Sequence, residues 1–499
     1  MIILSLLCLS NNPGIYQNEV SRLSKLNKIE IVHIQLYFII QGEYMKSTKL
    51  ESEKISKLLW EYSIPAITGT LVYVLYNIVD RIFISFGVGR LAIAGISIAL
   101  PLFTFILASG LFIGVGGGAL ISINLGEKNK EKAEQILGNA LTLFILTGIS
   151  FSILGILFLD DILILFGATV NNIIYARNYM SIIFFATTFQ LLFIGMNNII
   201  RGEGNPKIAM KMSIIGCGLN ILLDPFFIFT LDMGIKGAAI ATVISNMLVA
   251  LLQIWHFLNG NSNIKLKLKN LKLKKEILFG IASIGIAPFI MQMSNSIVVI
   301  FINKSLNIYG GDIAIAAYGI INSISVLMYM PIVGIFQGSQ PILGYNYGAK
   351  NYKRVKETYK LSLLAAISIS AIGFIMAIFI PHILILPFIK NDKTLFDLTT
   401  NATKTFFSMT IFMGFHMIGS SYFQTVGKAK ITTFLNIIRQ FILMLPFLYF
   451  LPKYYGVKGI WLAIPITDFT MAIITSYFVL KEFKFLKNKS NSEKQITTI

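Results

Sequence analysis

The chain has 499 residues, of which 55% are hydrophobic and 13% charged, with a formal net charge of +19. A soluble globular protein has no use for that much apolar surface, and the excess is laid out in long runs, so an all-α polytopic membrane protein is expected. Cys8 and Cys217 are too far apart in sequence for a Cys-x-x-Cys metal site or a disulfide framework, and Cys217 lies in an apolar run.

Residues 1–44 differ from the rest. Met1 to Leu9 is too short to span a bilayer, and no small-residue cleavage pattern follows it. Met45 precedes a charged lead-in, Lys-Ser-Thr-Lys-Leu-Glu-Ser-Glu-Lys, and is expected to be the working start. Twelve spans follow, at about 58–80, 91–125, 136–159, 178–200, 212–231, 237–259, 277–303, 313–344, 361–389, 405–427, 431–452 and 459–480. Each is near or above the ~20 residues that cross a ~30 Å hydrocarbon core. Acids and bases enter only the first (Glu61, Asp80), fifth (Asp224), eleventh (Arg439) and twelfth (Asp468).

Lys and Arg divide unequally between the two sets of loops. The lead-in, the loops around Lys128, Arg201, Lys265 to Lys275, Lys350 to Lys360 and Lys428, and the tail from Lys481 hold 28, against 10 on the other side. Basic loops stay in the cytoplasm, so both termini are expected there, in a bacterial cytoplasmic membrane. The positive charge is thus a topology signal, and no nucleic-acid partner is implied.

A repeat organises the chain. Asn124-Leu-Gly-Glu-Lys-Asn returns as Asn346-Tyr-Gly-Ala-Lys-Asn, and Gly234-Ile-Lys-Gly237 as Gly456-Val-Lys-Gly459, both 222 residues on. Gly204-Asn-Pro-Lys207 returns more weakly as Gly427-Lys-Ala-Lys430, at 223. The expected division is a lead-in (1–57), an N-terminal lobe (58–259), a Lys-rich linker (260–276), a C-terminal lobe (277–480) and a tail (481–499). Six crossings per lobe is an even number, so the lobes share one orientation and are related by a pseudo-two-fold along the membrane normal.

Chemistry concentrates in the first and fifth spans. Tyr73, Tyr76, Asn77 and Asp80 fall on one helical face, and Asn220 and Asp224 share another just before Pro225. An aspartate at the bilayer centre costs roughly 2.5–3.5 kcal/mol on insertion scales, so it marks a buried interior face or an ion path. Asp80 alone reads as a structural acid or a helix-end acid; a second acid of the same kind favours a cation site. At the repeat offset the two acids map to Ile302 and Pro446, so the site belongs to the first lobe. Two carboxyls meeting in apolar surroundings share a proton or a small cation, H⁺ or Na⁺. Arg81 is the competitor, placed to neutralise Asp80 at the membrane face.

Arg439 and Asp468 come to similar depth and read as a structural ion pair, with a direct role in coupling as the alternative. Gln292 and Asn295 are candidate substrate-cavity contacts or helix–helix hydrogen-bonding groups. Glu61 reads as interfacial; His256, His382 and His416 read as packing or interfacial residues without metal-ligand spacing. Gly116-Gly117-Gly118 lies inside a span with no Lys-Ser/Thr after it, unlike a phosphate loop.

These residues resemble the multidrug and toxic compound extrusion (MATE) family, in particular its DinF/MepA-like branch. The resemblance covers about 52–482. It rests on Pro65, Tyr76-Asn-Ile-Val-Asp80, Gly114-Val-Gly-Gly-Gly118, Arg201-Gly-Glu-Gly-Asn205, Asn220-Ile-Leu-Leu-Asp-Pro225, Gly237-Ala-Ala-Ile-Ala-Thr242 and Gln340-Pro-Ile-Leu-Gly-Tyr-Asn-Tyr-Gly348. It implies a cation site formed by Tyr76, Asp80, Asn220, Asp224 and Thr242, with Asn77 as a cavity contact and Pro65 as the point where the first helix bends. The NorM-like branch carries acids in its seventh and tenth helices, and 277–303 and 405–427 here carry none. The expectation is a non-enzymatic, monomeric antiporter without a cofactor, driven by H⁺ or Na⁺ and exporting amphipathic cationic compounds; the alternative is a lipid-linked oligosaccharide flippase of the same superfamily. Its other partners are membrane lipids.

Overall fold

The computed structural model describes residues 49–169, 172–260, 262–389 and 392–497; the segment 1–44 and the expected start at Met45 lie outside them. The short unit before Lys54 contributes a helical turn at 49–52. From Ile55 on, the described chain is helix after helix, with no strand among the described residues.

The first six crossings are α1 (Ile55–Gly87), α2 (Arg90–Gly126), α3 (Lys130–Leu157), the pair α4 (Ile173–Phe185) and α5 (Thr187–Gly202), α6 (Pro206–Pro225) and α7 (Gly234–Leu258). The second six begin with one helical run, Lys275–Gly348, which is two crossings merged at Gly311. Gly311 has φ 64 and ψ −163, a conformation open to glycine and not to side-chain-bearing residues, so the chain reverses there with no intervening loop. We call the arms α8 (275–310) and α9 (312–348). Then come α10 (Tyr352–Phe379), the pair α11 (Lys393–Phe406) and α12 (Met413–Thr425), the pair α13 (Ala429–Ile437) and α14 (Leu445–Tyr455), and α15 (Val457–Thr497). Counted as crossings, these make the twelve expected.

The fourth crossing is bent by 63° between α4 and α5. The Thr187 hydroxyl donates back to the carbonyls of Ile183 and Phe184, both at 3.1 Å, which competes with the helix ladder at that point. The tenth crossing is interrupted between α11 and α12, where the Ser408 hydroxyl donates to the Thr405 carbonyl at 2.8 Å. Met409, at the start of the short tight turn before α12, lies 223 residues after Ala186 at the first bend, so the duplicated halves break at matching points. Wider, π-type turns follow Pro225 (Phe226–Thr230) and precede Pro446 (Ile438–Met444). A proline supplies no backbone donor to the turn before it, and that freed carbonyl loosens the ladder.

The lobes touch most closely where α1 passes α9 and α2 passes α8, near the end of the bundle that carries the Lys-rich loops. A Cβ on Gly338 would lie 2.6 Å from Ser63 Cα, and one on Gly334 would lie 2.7 Å from Ile67 Cα. The Gly285 position is as tight against the Phe112 carbonyl, and Gly116 against that of Ile281, so the glycine triplet is a helix-contact surface. Polar links sit in the same seam. Arg201 Nη1 donates to Gln337 Oε1 at 2.8 Å, Thr70 Oγ1 donates to the same oxygen at 3.4 Å, and Ser122 Oγ donates to the Pro341 carbonyl at 3.1 Å.

The Lys-rich linker is docked on the first lobe. Glu134 accepts from Lys267 Nζ at 2.5 Å and from the Lys265 amide at 3.2 Å, while Asn139 bonds the carbonyls of Asn270 and Lys272 and the Lys274 amide. One sequence reading needs correction. Asp80 does not end its helix: α1 runs on to Gly87, because Ile82-Phe83-Ile84 continues the apolar run past Arg81. His256, read as packing or interfacial, is buried and also hydrogen-bonded: its Nε2 lies 2.7 Å from Oε1 of the fully buried Glu203, which also accepts from Asn205 Nδ2 at 2.6 Å and from the Ser262 hydroxyl.

Candidate functional site: an acidic cavity in the first lobe

The face of α1 that carries Tyr73, Tyr76, Asn77 and Asp80 turns into its own lobe. Tyr73 and Tyr76 lie with ring centroids 5.9 Å apart, and Asn77 Nδ2 donates to the Tyr73 carbonyl at 2.6 Å. Opposite stands the end of α6, with Asn220 and Asp224 one turn apart and Asp224 fully buried. The carboxyl groups of Asp80 and Asp224 lie within hydrogen-bonding reach of each other. One oxygen on each, Oδ1, is buried with no other partner.

Asn220 ties the pair to α7. With its amide nitrogen facing the acid, it donates to Asp224 Oδ2 at 2.9 Å while its oxygen accepts from the Thr242 amide at 3.2 Å and hydroxyl at 3.3 Å. Tyr179, from α4, lines the same cavity as Thr242. Four of the five residues assigned to the cation site by resemblance, Asp80, Asn220, Asp224 and Thr242, are thus linked directly; Tyr76, Asp80, Asn220 and Thr242 line one cavity, and Asp224 is fully buried beside it.

That cavity has a volume of about 160 Å³ and is walled by all the crossings of the first lobe except the third. It has room for a small ion and several waters. Two ionised carboxylates a hydrogen bond apart repel by on the order of 4–5 kcal/mol even at an effective dielectric of about 20. The arrangement is stable when the oxygens share a proton or a small cation, and the donor set of carboxylate, amide and hydroxyl oxygens suits a hard cation. Arg81 lies at the rim, exposed, and makes no ion pair with Asp80 within 4.0 Å among the described residues.

The other predicted residues are placed as follows. Pro65 is buried inside α1, which runs uninterrupted through it. Asn77 lines the acidic cavity. Asn295 accepts from Gln440 Nε2 at 2.7 Å, a helix–helix hydrogen bond between α8 and the π-turn after α13, and Gln292 lies one turn earlier on α8, half-buried. Arg439 Nη2 donates to Asp468 Oδ1 at 3.0 Å, with side chains 14% and 5% exposed, as a buried ion pair. Glu61 meets Lys207 at 3.1 Å at the surface. Five polar cavity residues escaped the sequence reading: Thr104, Tyr179, Gln190, Ser245 and Asn246, all within apolar spans. Spacing gives no signal for them, because the cavity they share is built from several helices.

A duplicated helical membrane bundle with a polar cavity and a pair of facing acids inside one lobe has the architecture of a secondary transporter. The MatE family model matches residues 65–226 and 284–450, and the chain belongs to that family. It is 28% identical over 429 residues to the multidrug export protein MepA of Staphylococcus haemolyticus (strain JCSC1435), covering 86% of this chain and 94% of that protein. Against MepA of Staphylococcus aureus (strain MRSA252) it is 29% identical over 410 residues, covering 82% and 90%. Among solved structures, an outward-facing multidrug resistance MATE transporter of the MOP superfamily aligns with a TM-score of 0.83 and 26% identity, over 88% of this chain and 98% of that one.

Proposed function

We propose that this transporter exports amphipathic, cationic organic compounds in exchange for H⁺ or Na⁺, and that the Asp80/Asp224 pair is where the coupling ion binds. The observation that carries the reading is the approach of two carboxyls inside a membrane lobe, each with an oxygen that no other group satisfies. Placing the Lys-rich loops in the cytoplasm puts the tight seam on the cytoplasmic side, so that side is the closed one in this structure. Helix α1 links site to seam: it carries Asp80 in its last third and packs on Gly334 and Gly338 of α9 near its start. An ion drawn between the carboxyls pulls α1 toward α6, and a rigid helix transmits that shift to the seam. In the cycle, ion entry from outside expels the bound drug; ion release to the cytoplasm readies the site for the next.

Everted membrane vesicles given a fluorescent cationic dye in the bath, which export carries into the lumen, test this. Dye transport driven by a pH step or by a Na⁺ step identifies the coupling ion, and Asp80→Asn and Asp224→Asn each abolish the response to that ion. Full gradient-driven transport by both variants would refute the assignment.

A further inference from the structure

The buried cluster around Arg439 lies where the duplication would put a second copy of the acidic cavity. The register is fixed by contacts as well as by sequence. Asn124 and Asn346, at an offset of 222, each donate to the carbonyl four residues back, at 2.8 and 2.9 Å. In the fourth and fifth crossings the offset is 223: Asn197 Nδ2 bonds the Ala209 carbonyl at 2.9 Å, and the matching positions are joined by Thr432 Oγ1 to the Ser420 carbonyl at 3.2 Å. Gly237 and Gly459, again at 222, each press on a backbone carbonyl of the preceding segment.

In that register Tyr329 and Asp468 fall on Leu107 and Asn246, and Arg439 and His416 fall on Gly216 and Phe193. All four counterparts line the first-lobe cavity. The second-lobe positions are filled by polar groups. Arg439 Nη2 donates to Asp468 at 3.0 Å, with its Nε buried and unpartnered, while His416 Nδ1 lies 3.3 Å from the Thr475 hydroxyl. The acid comes from the twelfth crossing, whereas the first lobe's acids come from its first and fifth. The cation comes from the eleventh, at a position occupied by glycine or cysteine in the first lobe.

We propose that this cluster is a monovalent-cation site permanently occupied by the protein's own guanidinium. Asp468 is its carboxylate ligand, and Arg439 the tethered cation that stands where a free ion would bind. A tethered cation cannot dissociate, so the second lobe keeps one charge state through the cycle and carries no coupling ion. The ligand class of the emptied site is a small monovalent cation: Na⁺, or a guanidinium that replaces the missing head group. The assignment stands on the second-lobe geometry and the repeat register; that the first lobe takes a diffusible ion is the separate reading above.

The test is the thermal unfolding of the purified full-length protein in detergent, with millimolar methylguanidinium, NaCl or choline chloride. All variants also carry Asp224→Asn, so that the first-lobe pair contributes no Na⁺ response. Arg439→Ala is expected to melt below its parent and to regain most of the loss in methylguanidinium or Na⁺, with choline too large to act. The Arg439→Ala/Asp468→Asn double variant and the parent are expected not to respond. Absence of any cation response in Arg439→Ala, or an equal response in the double variant, overturns the proposal. If Arg439→Ala does not fold, recovery of folding in the double variant supports it, by showing that the fault is the lone carboxylate. A double variant that also fails to fold overturns it, because the pair is then needed for packing alone.

Discussion

The seam between α1 and α9 offers a perturbation whose size follows from the geometry. A methyl group at Gly338 would lie 2.6 Å from Ser63 Cα, well inside van der Waals contact, and the obstacle is backbone that cannot rotate away. Gly338→Ala therefore forces the two helices apart in the state seen here. Overpacking of this kind costs about 1–3 kcal/mol. In a state where the seam is open the methyl meets nothing, so the whole cost biases the equilibrium between states, by about 5–150-fold. Spin labels at Lys132 and Lys353, exposed on the first turns of α3 and α10, report the separation by pulsed electron resonance in a cysteine-free background. The expected result is a population shift toward longer distances in Gly338→Ala, and a larger one in Gly338→Val. Distance distributions unchanged in both variants would refute the reasoning, since the seam would then have slack that the structure does not show.

Four further outcomes are expected. Asp224→Asn keeps the shape of the buried side chain and its contact with Asn220, so it should express and melt like the parent while losing ion-driven dye transport, which separates coupling from folding. Tyr179→Phe removes a hydroxyl from the cavity wall and should weaken ion affinity by about 1 kcal/mol, or several-fold in the half-saturating ion concentration, with the maximal rate changing less. Glu203→Gln breaks the buried contact with His256 and should lower the melting temperature, at a cost of about 1–3 kcal/mol; an unchanged melt would show that the amide replaces every bond of the acid. Glu134→Ala frees Lys267 and the Lys265 amide. With charged hydrogen bonds contributing about 1.5–3 kcal/mol, tryptic cleavage within 265–275 should accelerate by roughly 10-fold or more.

Much of this was legible in the order of residues, because a bilayer leaves so few choices. Every backbone polar group must be satisfied within its own segment, so long apolar runs can only be helices, and their number follows from their length. The face holding Tyr76 and Asp80, the Asn220–Asp224 turn and the depth match of Arg439 with Asp468 are all one-helix properties, visible from spacing. Asp80 was misplaced at a helix end because Arg81 resembles a boundary residue, and the apolar run Ile82-Phe83-Ile84 on its far side decided otherwise. Glu203 with His256, and Glu134 with the linker, went unread because each contact joins segments more than 50 residues apart.

Sequence alone thus determined the class of molecule, its crossings, its duplication and which lobe carries the acids, since these follow from hydrophobic length and from chemistry repeated at a fixed interval. Folding decided whether two carboxyls on separate helices meet, what stands between the lobes, and what fills the second copy of the cavity. Those are distances between elements that no local rule constrains: they depend on how closely glycine-bearing helices pack, and on which polar groups are left facing one another once they do.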